Sequence, residues 1–539
     1  MYRINIIGSG LAGLSAAITL AENSVACNLI SLQNSERAQS VLAEGGINGA
    51  LNTMGEDDNT ENHFNDTVKG GVYLSDPNAV DGLTKNAPQI IRWLESLGVP
   101  FNTSGGEIIL RNFGGQKKKR TAYARSSTGK IIMSAVIDEA RKYEACGLIK
   151  RYCHHEFVKL LIENNVCVGA LIRDRYSGKF AEFKGTVIFA CGGMNGIFPG
   201  MTTGTTQNSG DAACTVFAQG VEFGNLEMLQ YHPTTIGISG KRCLVTEAAR
   251  GEGGRLYIER NGDKWYFMEE KYPELKNLMP RDVVAREMFF VRRQPECGNT
   301  VYLDMTGLSE STWKNKLSDL REEIIHYLST DPKTDPIPVK EGIHYFMGGI
   351  NTNECHQTNV QNLYAAGECT CQYHGANRLG GNSMLGALYG GRKAALTILN
   401  ISKKDDKFID KSPDFKVLHE PFAEEASPIV IQKISDALLL GLGIVRNQKN
   451  LDYSLKKLCD VEKNNNLNLR EKNRIFLAKA MIISALGRKE SRGAHYREDY
   501  PNRDESFQKT SAVRFNNGEI DLKYRDIPER RISANENQA

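Results

Sequence analysis

The stretch Ile4-Asn-Ile-Ile-Gly-Ser-Gly-Leu-Ala-Gly-Leu14 decides the fold. Residues 4–7 predict a short buried strand, and residues 14–21 predict a helix. Between them Gly8 is placed to make a tight turn, Gly10 to admit a pyrophosphate, and Gly13 to let helix and strand pack closely. Backbone N–H groups at the start of the helix favour negative charge. The stretch therefore predicts a dinucleotide site, in preference to an ordinary glycine-rich turn or an apolar signal peptide.

Length and composition leave room for several domains and exclude some classes of function. The 539 residues are 40% hydrophobic and 24% charged, with a formal net charge of +3. This balance gives no reason to expect nucleic acid as a partner. Because no run of about 18 apolar residues occurs, we expect a cytoplasmic chain that reaches a membrane only through partner subunits.

Cysteine spacing argues against a metal site. None of the twelve cysteines forms a C-x-x-C pair, and Cys369 and Cys371 are the closest two. These spacings suit neither zinc nor an iron–sulfur cluster held within the chain. We therefore predict free thiols in a reducing compartment and no bound metal.

The predicted nucleotide site lacks one feature of nicotinamide enzymes. The second strand, residues 26–32, carries Ser31 where an acidic residue would bind a ribose hydroxyl. No convincing second G-x-G-x-x-G follows a strand later in the chain. We therefore predict a single dinucleotide, with electrons exchanged with a partner protein, a small carrier or oxygen.

Other glycine-rich segments are candidates for the cofactor. Residues 43–51 form a loop whose paired glycines would let a flat ring lie against backbone, although a plain turn is the alternative. Residues 183–191 predict a strand that ends in Gly192 and Gly193. Asp211 then precedes an alanine-rich helix, either as its N-terminal cap or as a nucleotide contact.

Polar groups in the middle of the chain form a candidate set for an anion. His232, Thr246, His344 and Arg378 are able to hold two carboxylates by charge-assisted hydrogen bonds. Singly, each of these residues is more often structural, and sequence alone does not bring them together. The neighbours Arg281 and Asp282 similarly suggest a local ion pair.

Two charged stretches predict exposed surface. Residues 112–121 hold four adjacent cations, which are typical of a solvated face and would otherwise attract an anionic substrate. Residues 427–486 are mostly helical in pattern, with burial expected from residue 473. The stretch 488–501 is charged and predicts a solvated end, followed by a strand pair, 511–514 and 519–523.

Taken together, the motifs resemble those of a known family. They extend from Ile4 to about Tyr524 and include, beyond the N-terminal glycines, Glu44-Gly-Gly-Ile-Asn48, Phe113-Gly-Gly, His232-Pro-Thr, Thr246-Glu-Ala-Ala-Arg-Gly-Glu-Gly-Gly254, Pro280-Arg-Asp, His344-Tyr-Phe-Met-Gly-Gly, Gly367-Glu368, His374-Gly-Ala-Asn-Arg-Leu and Glu490-Ser-Arg-Gly-Ala-His495. The chain resembles the flavoprotein subunits of succinate dehydrogenase and fumarate reductase, and their relative L-aspartate oxidase.

The resemblance implies an α/β fold with a Rossmann-like FAD-binding domain, an inserted α+β capping domain and a C-terminal helical domain. The expected boundaries are 1–223 with 344–405 for FAD, 224–343 for the cap, 420–500 for the helices and 501–539 for a tail. The resemblance places FAD on Gly8, Ser9, Gly10, Ala12, Gly13, Ser31, Ser40, Glu44, Gly45, Gly46, Asp211, Glu368, Arg378, Ser383 and Met384.

The resemblance also implies the chemistry. A C4 dicarboxylate, fumarate or succinate, would contact His232, Thr246, Glu247, His344, Arg378 and Phe113. Arg281 would pass the proton while flavin N5 passes hydride, with His232, His344 and Arg378 assisting. An iron–sulfur subunit or a small electron carrier is the expected partner.

Two residues separate the branches of this family. Gln39 stands where members with covalent FAD have a histidine, so we expect non-covalent FAD. Loss of that bond favours a more reducing flavin and hence fumarate reduction. Aspartate oxidases tend to carry a glutamate at the position of Phe113, which here offers a substrate ammonium no partner. We therefore predict a fumarate reductase, with L-aspartate oxidase and succinate dehydrogenase as alternatives.

Overall fold

The computed structural model describes residues 3–401, 413–421, 424–463 and 466–531. Residues 402–405 of the predicted FAD-binding domain and 532–539 of the predicted tail lie outside the described residues. In chain order the helices are α1 (Leu11–Glu22), α2 (Thr60–Gly70), α3 (Pro77–Ser96), α4 (Thr128–Ala145), α5 (Asp211–Ala218), α6 (Glu247–Gly251), α7 (Phe267–Lys271), α8 (Arg281–Val291), α9 (Glu310–Asn315), α10 (Ser318–Leu328), α11 (Asn382–Ile401), α12 (Pro428–Gly441), α13 (Gln448–Glu462) and α14 (Leu469–Gly487).

The strands, most of them short, are β1 (Ile4–Ile7), β2 (Cys27–Ser31), β3 (Ile47–Asn48), β4 (Thr103–Ser104), β5 (Glu107–Ile108), β6 (Leu110–Arg111), β7 (Thr121–Ala122), β8 (Ile149–Cys153), β9 (His155–Glu163), β10 (Val166–Asp174), β11 (Phe180–Lys184), β12 (Val187–Phe189), β13 (Phe223–Gly224), β14 (Leu229–Ile238), β15 (Lys241–Leu244), β16 (Arg255–Arg260), β17 (Asp263–Trp265), β18 (Cys297–Asp304), β19 (Ile337–Phe346), β20 (Gly349–Ile350), β21 (Leu363–Ala365), β22 (Lys509–Asn516) and β23 (Glu519–Asp526).

A five-stranded parallel sheet carries the N-terminal half. Its order is β21-β12-β1-β2-β8, with β1 in the centre. All residues of β1 are buried, which explains its unbroken, largely apolar sequence. Helix α1 packs against α11, where a Cβ on Gly391 would lie 2.1 Å from the carbonyl oxygen of Ala12. Only glycine permits this close approach of the two helices.

The predicted strand 183–191 is in fact two strands of different sheets. Strand β11 ends at Lys184 and pairs with β10, whereas β12 begins at Val187 in the parallel sheet. Gly185 between them has φ +115°, a backbone conformation that ends the first strand. The prediction of one continuous strand was wrong for this reason.

A second sheet belongs to the predicted cap. It contains six strands in the order β15-β14-β19-β18-β16-β17. Its core is a separate apolar cluster that includes Leu256, Phe267 and Trp313. Strand β19 runs continuously from Ile337 to Phe346 and so crosses the predicted boundary between residues 343 and 344. This long strand connects the cap to the nucleotide half.

The C-terminal part contains helices α12–α14 and a four-stranded sheet in the order β20-β13-β22-β23. Strands β13 and β20 of this sheet come from earlier in the chain. Strands β22 and β23 form the predicted hairpin, which is longer than expected, and β22 pairs with β13. The predicted solvated end from residue 488 was wrong for Arg488, Glu490, Arg492 and Arg497, each of which is at most 2% exposed. These charges are buried because they pair with one another and with groups from elsewhere in the chain.

The loop of cations also differs from the prediction of a solvated face. Arg120 is fully buried and pairs with Asp58 at 3.0 Å and Asp66 at 2.9 Å. Lys119 contacts Glu56 at the surface. Only part of this cationic run is therefore available to attract an anion.

Candidate functional site

One cavity extends from the end of β1 to the inner face of the cap sheet. Each residue predicted for the site, with the exception of Gly13, lines it. The residues come from the β1–α1 turn, the loop before β3, the starts of α6, α8 and α11, and strands β14 and β19. The fold thus collects side chains that are more than 300 positions apart in the sequence.

The glycines of the β1–α1 turn have different surroundings. Gly8 has φ +114°, and a Cβ there would lie 2.1 Å from the carbonyl oxygen of Ala190. A Cβ on Gly13 would lie 1.8 Å from the carbonyl oxygen of Gly8, so Gly13 serves helix packing rather than the cavity. Gly10 lines the cavity, and the adjacent Leu11 N–H donates to Ser40 Oγ at 3.4 Å. This turn presents backbone N–H groups to an anionic ligand.

Two adjacent glycines, Gly45 and Gly46, line the cavity. A Cβ on Gly45 would come within 2.8 Å of Cζ of Phe113, which is buried against this loop. Gly46 has φ +136°, and a Cβ there would lie 2.5 Å from the carbonyl oxygen of Ala122. Protein atoms fill the positions that side chains would take, so both residues line the cavity with backbone. A planar ring such as the flavin of FAD would fit against this backbone.

Asp211 lines the cavity but is not a helix cap. The N-cap of α5 is Gly210, with φ +81°. The Asp211 carboxylate pairs with Arg474 at 2.6 Å and Arg470 at 3.2 Å, both on α14. Although burial raises the pKa of this carboxyl, the two arginines bring it below its usual value. The residue therefore joins the cavity wall to the C-terminal helices.

His232 and His344 face one another from neighbouring antiparallel strands. His232 on β14 is opposite Gly342 on β19, and His344 lies at a register irregularity of the same strand pair, between the pairs Gln230–Tyr345 and Tyr231–Ile343. Their ring centroids are 5.1 Å apart. His344 Nδ1 lies 2.8 Å from the Thr203 hydroxyl, and His232 Nδ1 lies 3.0 Å from the carbonyl oxygen of Thr234.

These contacts fix both rings while leaving one nitrogen of His232 available. His232 Nε2 is buried and has no partner among the described residues. Burial, together with the charge of Arg281, lowers the pKa of both imidazoles well below the usual value. Both are therefore neutral at physiological pH. The Thr234 N–H also lies 3.3 Å from His232 Nδ1, and in the tautomer whose Nδ1 accepts from this N–H the proton is on Nε2 and points to a ligand.

Arg281 and Glu247 form a buried pair at the end of the cavity. Arg281 donates through Nη2 at 2.6 Å and Nε at 2.8 Å to Glu247 Oε2. The backbone N–H of Gly114 donates to Glu247 Oε1 at 2.9 Å, and Arg250 lies 3.8 Å from the same oxygen. Burial raises the pKa of Glu247, but Arg281 and Arg250 outweigh it, so the pKa is lowered and the carboxylate stays ionised.

The predicted ion pair between Arg281 and Asp282 does not form. Asp282 instead lies 3.9 Å from Arg286, one turn further along α8. Neighbouring residues of a helix project about 100° apart, whereas residues four apart share a face. Arg281 is thereby free to turn toward the cavity.

Arg378 has no carboxylate partner at hydrogen-bonding distance in the described chain. Its guanidinium lies 4.2 Å from the ring centroid of Tyr345, and its Nε is buried without a hydrogen-bond partner. Burial, with help from the charge of Arg281, lowers the pKa of Arg378 to about 9. A buried cation in this state is stabilised when an anion binds.

Several contributors to the site were absent from the sequence prediction. Gln230 accepts from Arg281 Nη1 at 3.1 Å and donates to the carbonyl oxygen of Arg378 at 2.9 Å, which links the two arginines. Thr203 orients His344, and Tyr345 supports Arg378. Gln230 lies two residues before His232, and Tyr345 follows His344, so their closeness in sequence to predicted residues could have indicated them. No local signal exists for Thr203.

Comparisons with known proteins agree with this geometry. Residues 4–384 match the family model described as an FAD binding domain, and residues 432–538 match that of the fumarate reductase flavoprotein C-terminus. The succinate dehydrogenase flavoprotein subunit of Bacillus subtilis is 34% identical, covering 95% of this chain and 93% of the relative. The chain belongs to the succinate dehydrogenase and fumarate reductase flavoprotein family.

Further relatives of this flavoprotein carry fumarate reductase names. The 8-methylmenaquinol:fumarate reductase flavoprotein subunit of Wolinella succinogenes is 31% identical, covering 97% of this chain and 90% of the relative. A solved variant of E. coli quinol fumarate reductase superposes with a TM-score of 0.84 at 27% identity, covering 98% of this chain and 97% of that one. The protein is thus an FAD-dependent oxidoreductase.

Three further features of the described residues concern membrane helices, metal ligands and cysteines. No helix in the described part of the chain is long and apolar enough to cross a membrane. Within the same residues no cluster of three or more His, Cys, Asp or Glu is arranged to hold a metal ion. Every cysteine is present as a free thiol.

Proposed function

We propose that this flavoprotein reduces fumarate to succinate, with FAD as the hydride donor and Arg281 as the proton donor. The observation that supports the proposal is the charge of the buried cavity end. Of three buried guanidinium groups, those of Arg250 and Arg281 lie at hydrogen-bond or ion-pair distance from the carboxylate of Glu247. The third, that of Arg378, has no carboxylate at such a distance among the described residues. Buried cations need anionic partners, and a dicarboxylate substrate supplies two.

Substrate binding follows from the groups that remain available. Arg378 offers Nε of its guanidinium and His232 offers Nε2, both buried and without a hydrogen-bond partner among the described residues. Thr246 caps α6 by accepting from the Ala248 N–H, which leaves its hydroxyl proton free to donate. With His344, these donors suit two carboxylates held at opposite ends of a short carbon chain.

FAD, when bound, supplies the hydride at N5. The glycine turn after β1 would hold its phosphates, and the backbone of Gly45 and Gly46 would lie against its ring. The start of α11, at Ser383 and Met384, faces the same space. Burial raises the pKa of the nearby Glu368 carboxyl to about 7, so it is able to act as a hydrogen-bond donor to the cofactor.

Arg281 is oriented to give a proton to the substrate carbon. Glu247 and Gln230 fix its guanidinium from two sides, at 2.6–2.8 Å and 3.1 Å. Because the guanidinium is already held in one orientation, no entropy is lost in orienting it during the reaction. After transfer, Glu247 and then Arg250 offer a route by which the proton is replaced.

Non-covalent attachment of FAD favours reduction. Gln39 lines the cavity, and its Oε1 accepts from the Thr205 N–H at 2.6 Å. A glutamine amide forms no stable bond to flavin. Each ~30 mV by which the two-electron potential falls adds ~1.4 kcal/mol to the driving force for fumarate reduction.

The same residues bear on the alternative activity, that of an L-aspartate oxidase, and the names of the relatives bear on the electron donor. Phe113 gives the ammonium of L-aspartate no carboxylate, which disfavours an aspartate oxidase. Several relatives are named as subunits, and we propose an iron–sulfur subunit or a small carrier as electron donor. We retain the division into FAD-binding, capping and helical domains, with β19 as a connection between the first two.

One assay separates these functions. Purified protein is given reduced viologen with fumarate, and separately L-aspartate with oxygen. Fast viologen oxidation with no peroxide from aspartate supports the proposal. Peroxide and iminoaspartate would instead identify an L-aspartate oxidase, and succinate oxidation much faster than fumarate reduction would indicate a dehydrogenase.

A further inference from the structure

Asn48 lies behind the cavity wall and connects its two sides. It is fully buried at the end of β3, two residues after Gly46 of the flavin loop. Its Nδ2 donates to the carbonyl oxygen of Gly380 at 2.8 Å and to Asn382 Oδ1 at 2.7 Å. Its Oδ1 accepts from the Thr121 hydroxyl at 2.6 Å. The amide of Asn48 therefore makes three hydrogen bonds, and all three are to other residues of the protein.

The turn that Asn48 holds lies between Arg378 and α11. Gly381 has φ +83°, and a Cβ there would lie 2.0 Å from Asn48 Oδ1. The backbone N–H of Asn48 donates to the carbonyl oxygen of Gly381 at 3.2 Å. The carbonyl oxygen of Gly380 thus accepts from the Asn48 side chain, and that of Gly381 accepts from the Asn48 backbone.

The opposite side of the same turn touches the reaction machinery. A Cβ on Gly380 would lie 2.9 Å from Cδ2 of Phe113 and 3.0 Å from Oε2 of Glu247. Glu247 Oε2 is the oxygen that holds Arg281. A displacement of the turn would therefore reach Glu247 and, through it, the proton donor Arg281.

A second amide supports the same carbonyl. Gln116 Nε2 donates to the Gly380 oxygen at 2.9 Å, so this carbonyl accepts two hydrogen bonds. Asn382, the first residue of α11, also donates to the Thr67 hydroxyl at 3.0 Å. Neither Asn48 nor Gln116 lines the cavity, so both would affect a ligand only through the residues that they hold.

We infer that Asn48 is a positioning residue for the dicarboxylate site. Its amide sets the Gly380–Gly381 turn, and the turn sets Arg378 on one side and the first residues of α11, Ser383 and Met384, on the other. The inference rests on the proposed function for its substrate, but its effect on the cofactor environment does not depend on which substrate is reduced.

Asn48→Asp tests this role because it preserves shape and removes both side-chain donors. An ionised carboxylate would face the Gly380 carbonyl and Asn382 Oδ1, both acceptors, and the turn would move away. A misplacement of 1 Å at a reacting centre costs about 100-fold in rate. We expect kcat for fumarate to fall by about that factor, Kd for succinate to rise, and the flavin absorbance maximum of the oxidised protein to shift.

Asn5→Asp is the matched control. Asn5 is equally buried, its Nδ2 donates to the carbonyl oxygens of Phe183 and Lys184, and its Oδ1 accepts from Asn28. The hydrogen-bond pattern is therefore the same, but it lies outside the cavity. We expect a similar loss of stability without a change in kcat, succinate affinity or flavin absorbance.

Gln116→Met is the milder variant if Asn48→Asp does not fold. It removes one of the two donors to Gly380 and should reduce kcat about tenfold, in the same direction as Asn48→Asp. Purified holoprotein of each variant is measured for FAD content, thermal midpoint, flavin spectrum, succinate Kd and kcat.

The outcomes are separable. The inference is overturned if the Asn48 and Gln116 variants, with FAD bound, match the wild type within twofold in kcat and Kd and show its flavin spectrum. If the wild type itself binds no dicarboxylate, the proposed function fails, and the flavin spectrum alone then decides: a shift with Asn48→Asp but not Asn5→Asp supports the positioning role, and no shift refutes it.

Discussion

Arg281 and Glu247 meet through a single oxygen: Nε and Nη2 of the arginine both donate to Oε2 of the glutamate, at 2.8 and 2.6 Å. The other oxygen of Glu247 faces the Gly114 N–H and Arg250. The carboxylate therefore lies between two guanidinium groups. Glu247 thus holds the Arg281 guanidinium at the cavity and connects it to Arg250, which does not line the cavity.

Arg281→Lys should abolish most turnover while leaving the cofactor bound. A lysine keeps the charge but is unable to hold two donors in one plane against Glu247. General acid catalysis contributes about 10²–10⁴ to rate, so we expect kcat for fumarate to fall at least about 100-fold. Viologen-coupled assays and the FAD content of the purified variant measure the two effects.

Arg286→Lys is the control for that substitution. Arg286 is on the same helix, one turn further on, and stacks on Tyr496 with its guanidinium carbon 4.9 Å from the ring centroid. Its replacement should leave kcat within about twofold of the wild type. Equal losses in the two variants would show that damage to α8, rather than loss of a proton donor, explains the result.

FAD should leave the wild-type protein on acid precipitation. Gln39, whose Oε1 already accepts from Thr205 N–H, offers no nucleophile to the flavin. The absorbance of the supernatant then accounts for all of the bound flavin. Yellow colour retained in the washed pellet would contradict non-covalent binding and require another attachment residue.

Gly45→Ala should be destabilising unless Phe113 is made smaller. The new Cβ would lie 2.8 Å from Cζ of Phe113, a distance that real Cβ atoms do not show. Overpacking of this kind costs about 1–3 kcal/mol. Phe113→Leu removes the clashing atom, so the double variant should lose less stability than the sum of the two single variants.

Urea unfolding of the four proteins in this cycle gives the coupling energy. Gly307→Ala is the control, because a Cβ at Gly307 meets nothing within 4 Å. Strict additivity between Gly45→Ala and Phe113→Leu would mean that the loop moves away from the ring, and that the contact between Gly45 and Phe113 is not rigid.

The sequence allowed the nucleotide turn to be predicted because its interactions are local. Gly8 and Gly13 act on each other across five residues, and their spacing is visible in the chain. The partner of Arg281 was mispredicted because adjacency suggested Asp282, whereas helix geometry turns the two side chains apart. Arg488 was mispredicted for another reason: its partner Glu227 is 261 positions away, and no local pattern reveals it.

Arg488→Met should be among the most destabilising single changes. Both ion pairs of Arg488, with Glu227 at 2.6 Å and Glu490 at 3.0 Å, are completely buried. Removing one partner of a buried pair costs about 3–5 kcal/mol, because a charge is left without compensation. Arg141→Met removes an ion pair to Glu36 between side chains that are 58% and 53% exposed, and should cost about 0–1 kcal/mol.

Denaturant unfolding at neutral pH compares these two variants. If both lost less than about 1 kcal/mol, the segment after α14 would be solvated in solution, as its charged sequence alone suggests.

His495 should make the protein less stable as the pH falls. Its Nδ1 lies 2.8 Å from the Arg446 guanidinium and its Nε2 lies 3.1 Å from the carbonyl oxygen of Arg488, so the ring is neutral with its proton on Nε2. Burial, with the charges of Arg446 and Arg488, lowers its pKa well below the ordinary value of 6.5. Below pH 6.5 the unfolded chain therefore binds a proton at this residue that the folded chain does not.

The stability that depends on neutral His495 is present above pH 6.5 and is lost progressively below it. One such proton changes the free energy of unfolding by about 1.4 kcal/mol per pH unit. His495→Gln keeps an acceptor for Arg446 and a donor for the Arg488 carbonyl but does not titrate. Its curve of unfolding free energy against pH should be shallower than that of the wild type by about this slope between pH 6 and 5. Parallel curves would mean that the His495 environment admits a charged imidazole, and that the buried charges around it rearrange with pH.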